Sequence, residues 1–140
     1  MISRSLSLRV ALPLMLTANC GYFRELYVGD QYEPDNQCSS ARPILLDAQQ
    51  THTLDNRYDK DWLTLRVEAG RRYQVRIGRN YANDSDMAIW LHESCTGSHI
   101  TRGGGAHASV QYTATATGNV YLKVTGQKRN RYEIVATELR

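Results

Sequence analysis

Asp61-Trp62-Leu63-Thr64-Leu65-Arg66-Val67-Glu68-Ala69-Gly70-Arg71-Arg72-Tyr73-Gln74-Val75-Arg76-Ile77 is the stretch that decides the fold. Leu63, Leu65 and Val67 alternate with Thr64 and Arg66, and Tyr73, Val75 and Ile77 alternate with Arg72, Gln74 and Arg76. A period of two sends successive side chains to opposite faces of a strand. Glu68-Ala69-Gly70-Arg71 supplies a turn between the two runs. The spacing predicts a hairpin with an apolar inside and a basic, solvated outside.

The same period recurs outward from this stretch. Met87, Ile89 and Leu91 show it, as do Val110 and Tyr112, then Val120, Leu122 and Val124 after Thr117-Gly118-Asn119, and finally Tyr132, Ile134 and Ala136. Gln50 to Leu54 is a weaker run, and a short helical turn is expected around Ser39 to Ile44. No segment after residue 20 carries a long helical period. Seven or eight short strands with turn-rich gaps predict an all-β fold, an antiparallel β-sandwich.

The chain has 140 residues, 41% of them hydrophobic and 22% charged, which is room for one domain. A mean hydropathy of -0.51 excludes a polytopic membrane protein. The formal charge of +3 and a pI near 8.8 hint at nucleic acid. The distribution of charge argues otherwise. Arg4 and Arg9 precede the apolar run Val10 to Ala18, which is shorter than the roughly 20 residues that span a bilayer and fits a secretory signal over residues 1–19. Its removal leaves 121 residues with 15 basic against 14 acidic side chains. No nucleic-acid partner is expected. Residues 20–31 read as a tether, spanning at most about 35 Å when extended. The domain then occupies residues 32–140.

Cys20 follows the apolar run directly, and its setting resembles the lipobox of bacterial lipoproteins, in which the cysteine is acylated. That pattern has Leu three residues before the cysteine and Gly or Ala adjacent, whereas Leu16 is four before and Asn19 adjacent here. Lipid anchoring at Cys20 stands beside ordinary cleavage nearby and an uncleaved anchor. Of the three cysteines, Cys38 and Cys95 then remain as a pair, either a disulfide in an oxidising compartment or two buried thiols. The expected location is exported: periplasmic, anchored at the outer membrane or cell surface, or secreted.

Tyr32-Glu33-Pro34-Asp35-Asn36-Gln37-Cys38 followed by Ala41 resembles the opening of the bacterial pre-peptidase C-terminal domain family. Later landmarks arrive in order: Asp59-Lys60-Asp61-Trp62 at the start of a strand, the Ala69-Gly70 turn, the strand within Asp86 to Glu93, Thr117-Gly118-Asn119-Val120-Tyr121-Leu122-Lys123-Val124, and Tyr132-Glu133-Ile134. The likeness covers about residues 32 to 138. It implies a jelly-roll-like sandwich with a non-catalytic accessory role, in a family whose members aid secretion or attachment and in some cases bind calcium. It does not name a ligand.

Calcium takes six to eight oxygens, and the sequence offers Glu33, Asp35 and Asn36 in the opening motif with Asp59 and Asp61 at the strand start. In calcium-binding members of the resembled family these segments meet. The alternative is that Glu33 to Asn36 simply form a turn, with Pro34 fixing φ. Asp84 and Asp86 lack the glycine and glutamate of a calcium loop and read as solvated loop residues. His92, Cys95, His99 and His107 could suit zinc, but their spacing fits no established pattern and would cost the pairing of Cys38 with Cys95. Gly103-Gly104-Gly105 reads as a mobile loop. No nucleophile elbow or His-Glu-x-x-His pair is present, so no catalytic residues are expected.

Arg66, Arg72 and Arg76 form an outward basic row, with Trp62 nearby and Trp90 alternating away from Ile89 and Leu91; they are candidates for holding an acidic polymer or a sugar, or else are solvated surface. The sequence thus predicts a non-enzymatic exported or lipid-anchored module that binds an envelope protein or extracellular polymer. The alternative is a structural or assembly subunit of an envelope or secretion complex. A small metal-dependent enzyme is the remote third reading.

Overall fold

The structure, a computed structural model, describes residues 30–140. The signal segment, Cys20 and nearly all of the tether lie outside the described residues. Nine strands follow a short 3-10 turn at Cys38–Ser40: β1 Arg42–Ile44, β2 Gln50–Leu54, β3 Asp61–Val67, β4 Arg72–Asn80, β5 Ala88–His92, β6 Thr101–Gly104, β7 Ser109–Thr113, β8 Gly118–Thr125 and β9 Asn130–Leu139. They form two sheets, one ordered β1-β3-β8-β5-β6 and the other β2-β9-β4-β7. Among the described residues these strands pair antiparallel except β1 with β3, and an isolated bridge from Leu46 to Ala136 of β9 is also parallel. Among the described residues no helix is long and apolar enough to cross a membrane.

The expected antiparallel β-sandwich is therefore present, with its core where the alternation placed it. Leu63, Leu65 and Val67 from one sheet meet Tyr73, Val75 and Ile77 from the other, joined by Ile89, Leu91, Leu122, Val124, Tyr132 and Ile134. The expected hairpin is not. β3 and β4 lie in different sheets, so residues 68–71 arch across the core rather than turn back within one sheet. Gly70 takes φ +81 in this arch, a conformation that favours glycine. Its N–H donates to Ala114 O at 2.8 Å, and Ala114 N–H donates to Arg71 O at 2.9 Å. Alternation identifies the buried face of a strand, but two inward faces are satisfied equally by neighbours in a sheet and by partners stacked across the core.

Two further segments differ from expectation. Of the turn expected at Ser39 to Ile44 only Ser39 and Ser40 are helical, in a 3-10 turn at Cys38–Ser40, and Ile44 ends a strand. Pro43 disfavours the helical region for Arg42, so the chain extends there. Gly103 and Gly104, read as a mobile loop, belong to β6 and pair with Ile89 and Ala88. A Cβ built on Gly103 would lie 1.8 Å from Ser109 O, so the absent side chain lets β6 and β7 approach where one sheet passes to the other. Gly103→Ala should cost about 2 kcal/mol or more through overpacking. A denaturation midpoint equal to that of the unaltered protein would refute this account of the glycine.

Candidate functional site

The residues before β1 cross one end of the sandwich and are fastened at several points. Cys38 and Cys95 form a disulfide with Cα atoms 5.5 Å apart, joining the opening segment to the loop after β5. Trp62 N–H donates to Asp35 O at 2.9 Å, and Lys60 N–H to Asn36 Oδ1 at 3.3 Å. Arg42 donates to Tyr32 O and Pro34 O. Asp30, at the end of the segment read as tether, accepts from Thr53 N–H and so is already docked.

These fastenings gather carboxylates. Glu33, Asp35 and Asp61 each present an oxygen within 4.8 Å of the others, and Glu33, Asp55 and Asp59 do the same. A third group joins Asp30, His52 and Asp61. Asp35 and Asp61 are each only 1% exposed. Neither oxygen of Asp35 has a hydrogen-bond partner among the described residues, nor do Asp61 Oδ1 and Asp55 Oδ1. Asp61 Oδ2 accepts from the buried Tyr132 hydroxyl at 2.6 Å. Asp59 turns its oxygens to Asp55 N–H and Lys60 N–H, at 2.7 and 2.9 Å.

Leaving a carboxylate buried without partners costs several kcal/mol unless it takes a proton or meets a cation. The titration follows. Burial first, then Glu33 and its acidic neighbours, push Asp35 up to about 7. Burial, with Asp35 and Asp59 adding to it, pushes Asp61 up to about 9, although the Tyr132 hydrogen bond pulls the other way. Glu33 and Asp55 are raised for the same leading reason. Beside them His52, stacked between Tyr32 at 4.2 Å and Tyr132 at 5.7 Å, is lowered to about 4 by burial.

Of the five residues singled out for calcium, the structure brings Glu33, Asp35 and Asp61 together and sets Asp59 in the adjoining group with Glu33. Asn36 is turned to the backbone of Lys60. Asp55 and Asp30 were missed. Asp55 carries a legible signal, since Asp55, Asp59 and Asp61 punctuate one short segment; Asp30 lay in a stretch without any period.

Of the zinc candidates, His92 and His99 come together with ring centres 6.1 Å apart, and the others are scattered. Cys95 is spent in the disulfide and is not available as a zinc ligand. His92 Nδ1 meets Gly97 O at 3.2 Å and its ring packs on Trp62, His99 meets Trp90 edge-on, and His107 lies exposed in the loop after β6. Asp84 is buried rather than solvated, accepting from Asp86 and Gln127 N–H groups beside Asn80. The proposed basic row divides: Arg66 and Trp90 lie on the outer face of the five-stranded sheet, Arg72 and Arg76 on that of the four-stranded sheet. Outward residues of strands in opposite sheets point away from one another.

No family model matches the chain, and no curated protein matches it. Solved structures do. The chain superposes on the pre-peptidase C-terminal domain of collagenase from Bacillus anthracis with a TM-score of 0.58 and 22% identity, covering 69% of this chain and 94% of that one. It also superposes on PliG from Aeromonas hydrophila, a periplasmic lysozyme inhibitor of g-type lysozyme, with a TM-score of 0.55 and 17% identity, covering 71% and 96%. The fold is that of the pre-peptidase C-terminal domain, as the motifs implied.

Proposed function

We propose that the chain is an exported, non-catalytic binding module whose opening segment is fixed by a calcium ion. The observation that carries this is the pair Asp35 and Asp61, both buried beside Glu33, where no donor among the described residues meets either oxygen of Asp35 or Oδ1 of Asp61. Clustered carboxylates of this kind match a hard cation that accepts many oxygens in flexible geometry. Glu33, Asp35 and Asp61 would hold it first, with Asp55 and Asp59 adjoining. The ion would neutralise charges that otherwise repel across the contact between residues 30–37 and β3. An oxidising compartment, favoured by the Cys38–Cys95 bridge and by the signal pattern over residues 1–19, supports export. A periplasmic inhibitor with this fold supports action by binding an envelope protein or polymer rather than by chemistry. Lipid attachment at Cys20 would place that module at a membrane surface.

Calcium titration by calorimetry tests the site. The unaltered protein should bind in the range of extracellular modules, a Kd of roughly 0.1 to 1 mM. Asp35→Asn should weaken binding at least roughly tenfold, while Asp86→Asn, on an exposed turn, should not. Metal-free Asp35→Asn should also be more stable than the parent above pH 7, because the amide has no charge to bury. A silent titration together with a melting temperature indifferent to millimolar calcium would remove the ion from the proposal.

A further inference from the structure

We infer that the outer face of the five-stranded sheet binds an acidic polysaccharide along a row of side chains crossing four strands, Trp62, Lys123, Trp90 and Arg102. This deepens, and rests on, the reading of the domain as a binding module.

Register builds the row. Trp62 on β3 faces Lys123 on β8, Lys123 faces Trp90 on β5, and Trp90 faces Arg102 on β6. Adjacent strands lie about 4.8 Å apart, so the row runs for about 14 Å. Aromatic and cation alternate along it. Lys123 Nζ lies 5.6 Å from the centre of the Trp62 ring and 5.1 Å from that of Trp90, and the Arg102 guanidinium carbon lies 4.6 Å from Trp90. The indoles hold the two cations upright and limit the freedom they would lose on meeting a ligand. Trp90 is itself fixed, donating from Nε1 to Thr125 Oγ1 at 3.2 Å with His99 against its edge at 4.8 Å.

Charge selects the ligand. None of the outward-facing residues of these five strands is Asp or Glu. Burial and the neighbouring Lys60 hold the Lys123 pKa below its ordinary value, as expected of an ammonium without a carboxylate beside it. The opposite face of the sandwich differs. There Glu133 stands opposite Arg79 and accepts from Tyr81, and Arg72 is occupied by Gln111. The cationic row thus lacks the compensation that the other sheet has.

Spacing selects the polymer. Lys123 and Arg102 are two strands apart, about 10 Å, a distance suited to a chain bearing one anionic group per disaccharide. Such a chain would lie across the strands, with sugar C–H groups against the partly exposed indoles.

Hyaluronan octasaccharide, with one carboxylate per disaccharide, is the probe, with dextran as the uncharged control and polyglutamate and anionic phospholipid vesicles as the competing classes. The full exported chain should bind hyaluronan and not dextran, and binding should weaken with salt. Lys123→Ala and Arg102→Ala should each weaken it roughly tenfold, with circular dichroism and calcium response unchanged, whereas Arg72→Ala on the far face should bind as the parent does. Equal binding by the Lys123 and Arg102 variants, or binding only to polyglutamate or to vesicles, would overturn the inference. A chain that responds to calcium but ignores every polysaccharide overturns the row and leaves the calcium reading standing. One that binds hyaluronan without a calcium response does the reverse.

Discussion

With a chelator present, raising the pH from 6.5 to 9 should lower the melting temperature of the domain, and millimolar calcium should cancel or reverse that fall. Asp35 and Asp61 have ordinary values of 3.8 and folded values of about 7 and about 9. Between 3.8 and those values the unfolded chain has released protons that the folded chain still holds. Stability therefore falls as pH rises, until each folded value is passed. His52 acts in the opposite sense at lower pH. Its ordinary value is 6.5 and its folded value about 4, so stability is lost as pH falls through that window. Above 6.5 the carboxylates act without it. At about 1.4 kcal/mol per pKa unit the fall is on the order of 4 kcal/mol, or roughly 10 to 20 °C for a domain of this size. Calcium binds the ionised forms and so stabilises most where the metal-free protein is weakest. Asp61→Asn should flatten the metal-free profile and abolish the calcium effect together. A melting temperature that rises with pH in chelator, or a calcium shift equal at pH 6.5 and 9, would contradict the assignment.

Removing the disulfide should have an effect of comparable size. Cys38 and Cys95 are separated by 57 positions, and the chain-entropy cost of leaving that loop open is about 4 kcal/mol. The double variant Cys38→Ser with Cys95→Ser should melt on the order of 20 °C lower, and a reductant should bring the parent toward it. The loss should extend to calcium. Asp35 lies three positions before Cys38, so freeing that cysteine releases the backbone that carries two of the proposed ligands. Unchanged melting in the double variant would mean that β1 and the hydrogen bonds of Asp35 and Arg42 hold the segment without the bridge.

Much of this architecture could be read directly from the chain. The inward apolar positions in β3, β4, β8 and β9 follow from alternation, because burial of one face is a local property of a strand; the buried Asn80 does not, since a register shift after Ile77 breaks the period. Partnership is not local. The arch between β3 and β4, and with it the separation of Arg66 from Arg72 and Arg76, depends on which strands stack across the core. β6 escaped because its glycines carry no alternating pattern; its place is set by the backbone of Ser109 against Gly103. At the acidic site the motif residues Glu33, Asp35, Asp59 and Asp61 were visible, and Asp55 was legible from its spacing to Asp59 and Asp61, while Asp30 joins them through tertiary folding. The row of Trp62, Lys123, Trp90 and Arg102 was visible only in fragments, since its members are far apart in sequence and adjacent only by register.

The fastening of the opening segment also determines how the domain would carry tension. Among the described residues, a pull from the N-terminal side meets in turn the bond from Thr53 of β2 to Asp30, the contact of Asp35 with β3, and the covalent link from Cys38 to Cys95. Of the described residues, 30–37 precede that link, a reach of about 26 Å when extended. Glu33 and Asp35 lie within this stretch. A cation bound there would act as a fuse: it would set the force at which those residues extend, while the sandwich behind the disulfide stays folded.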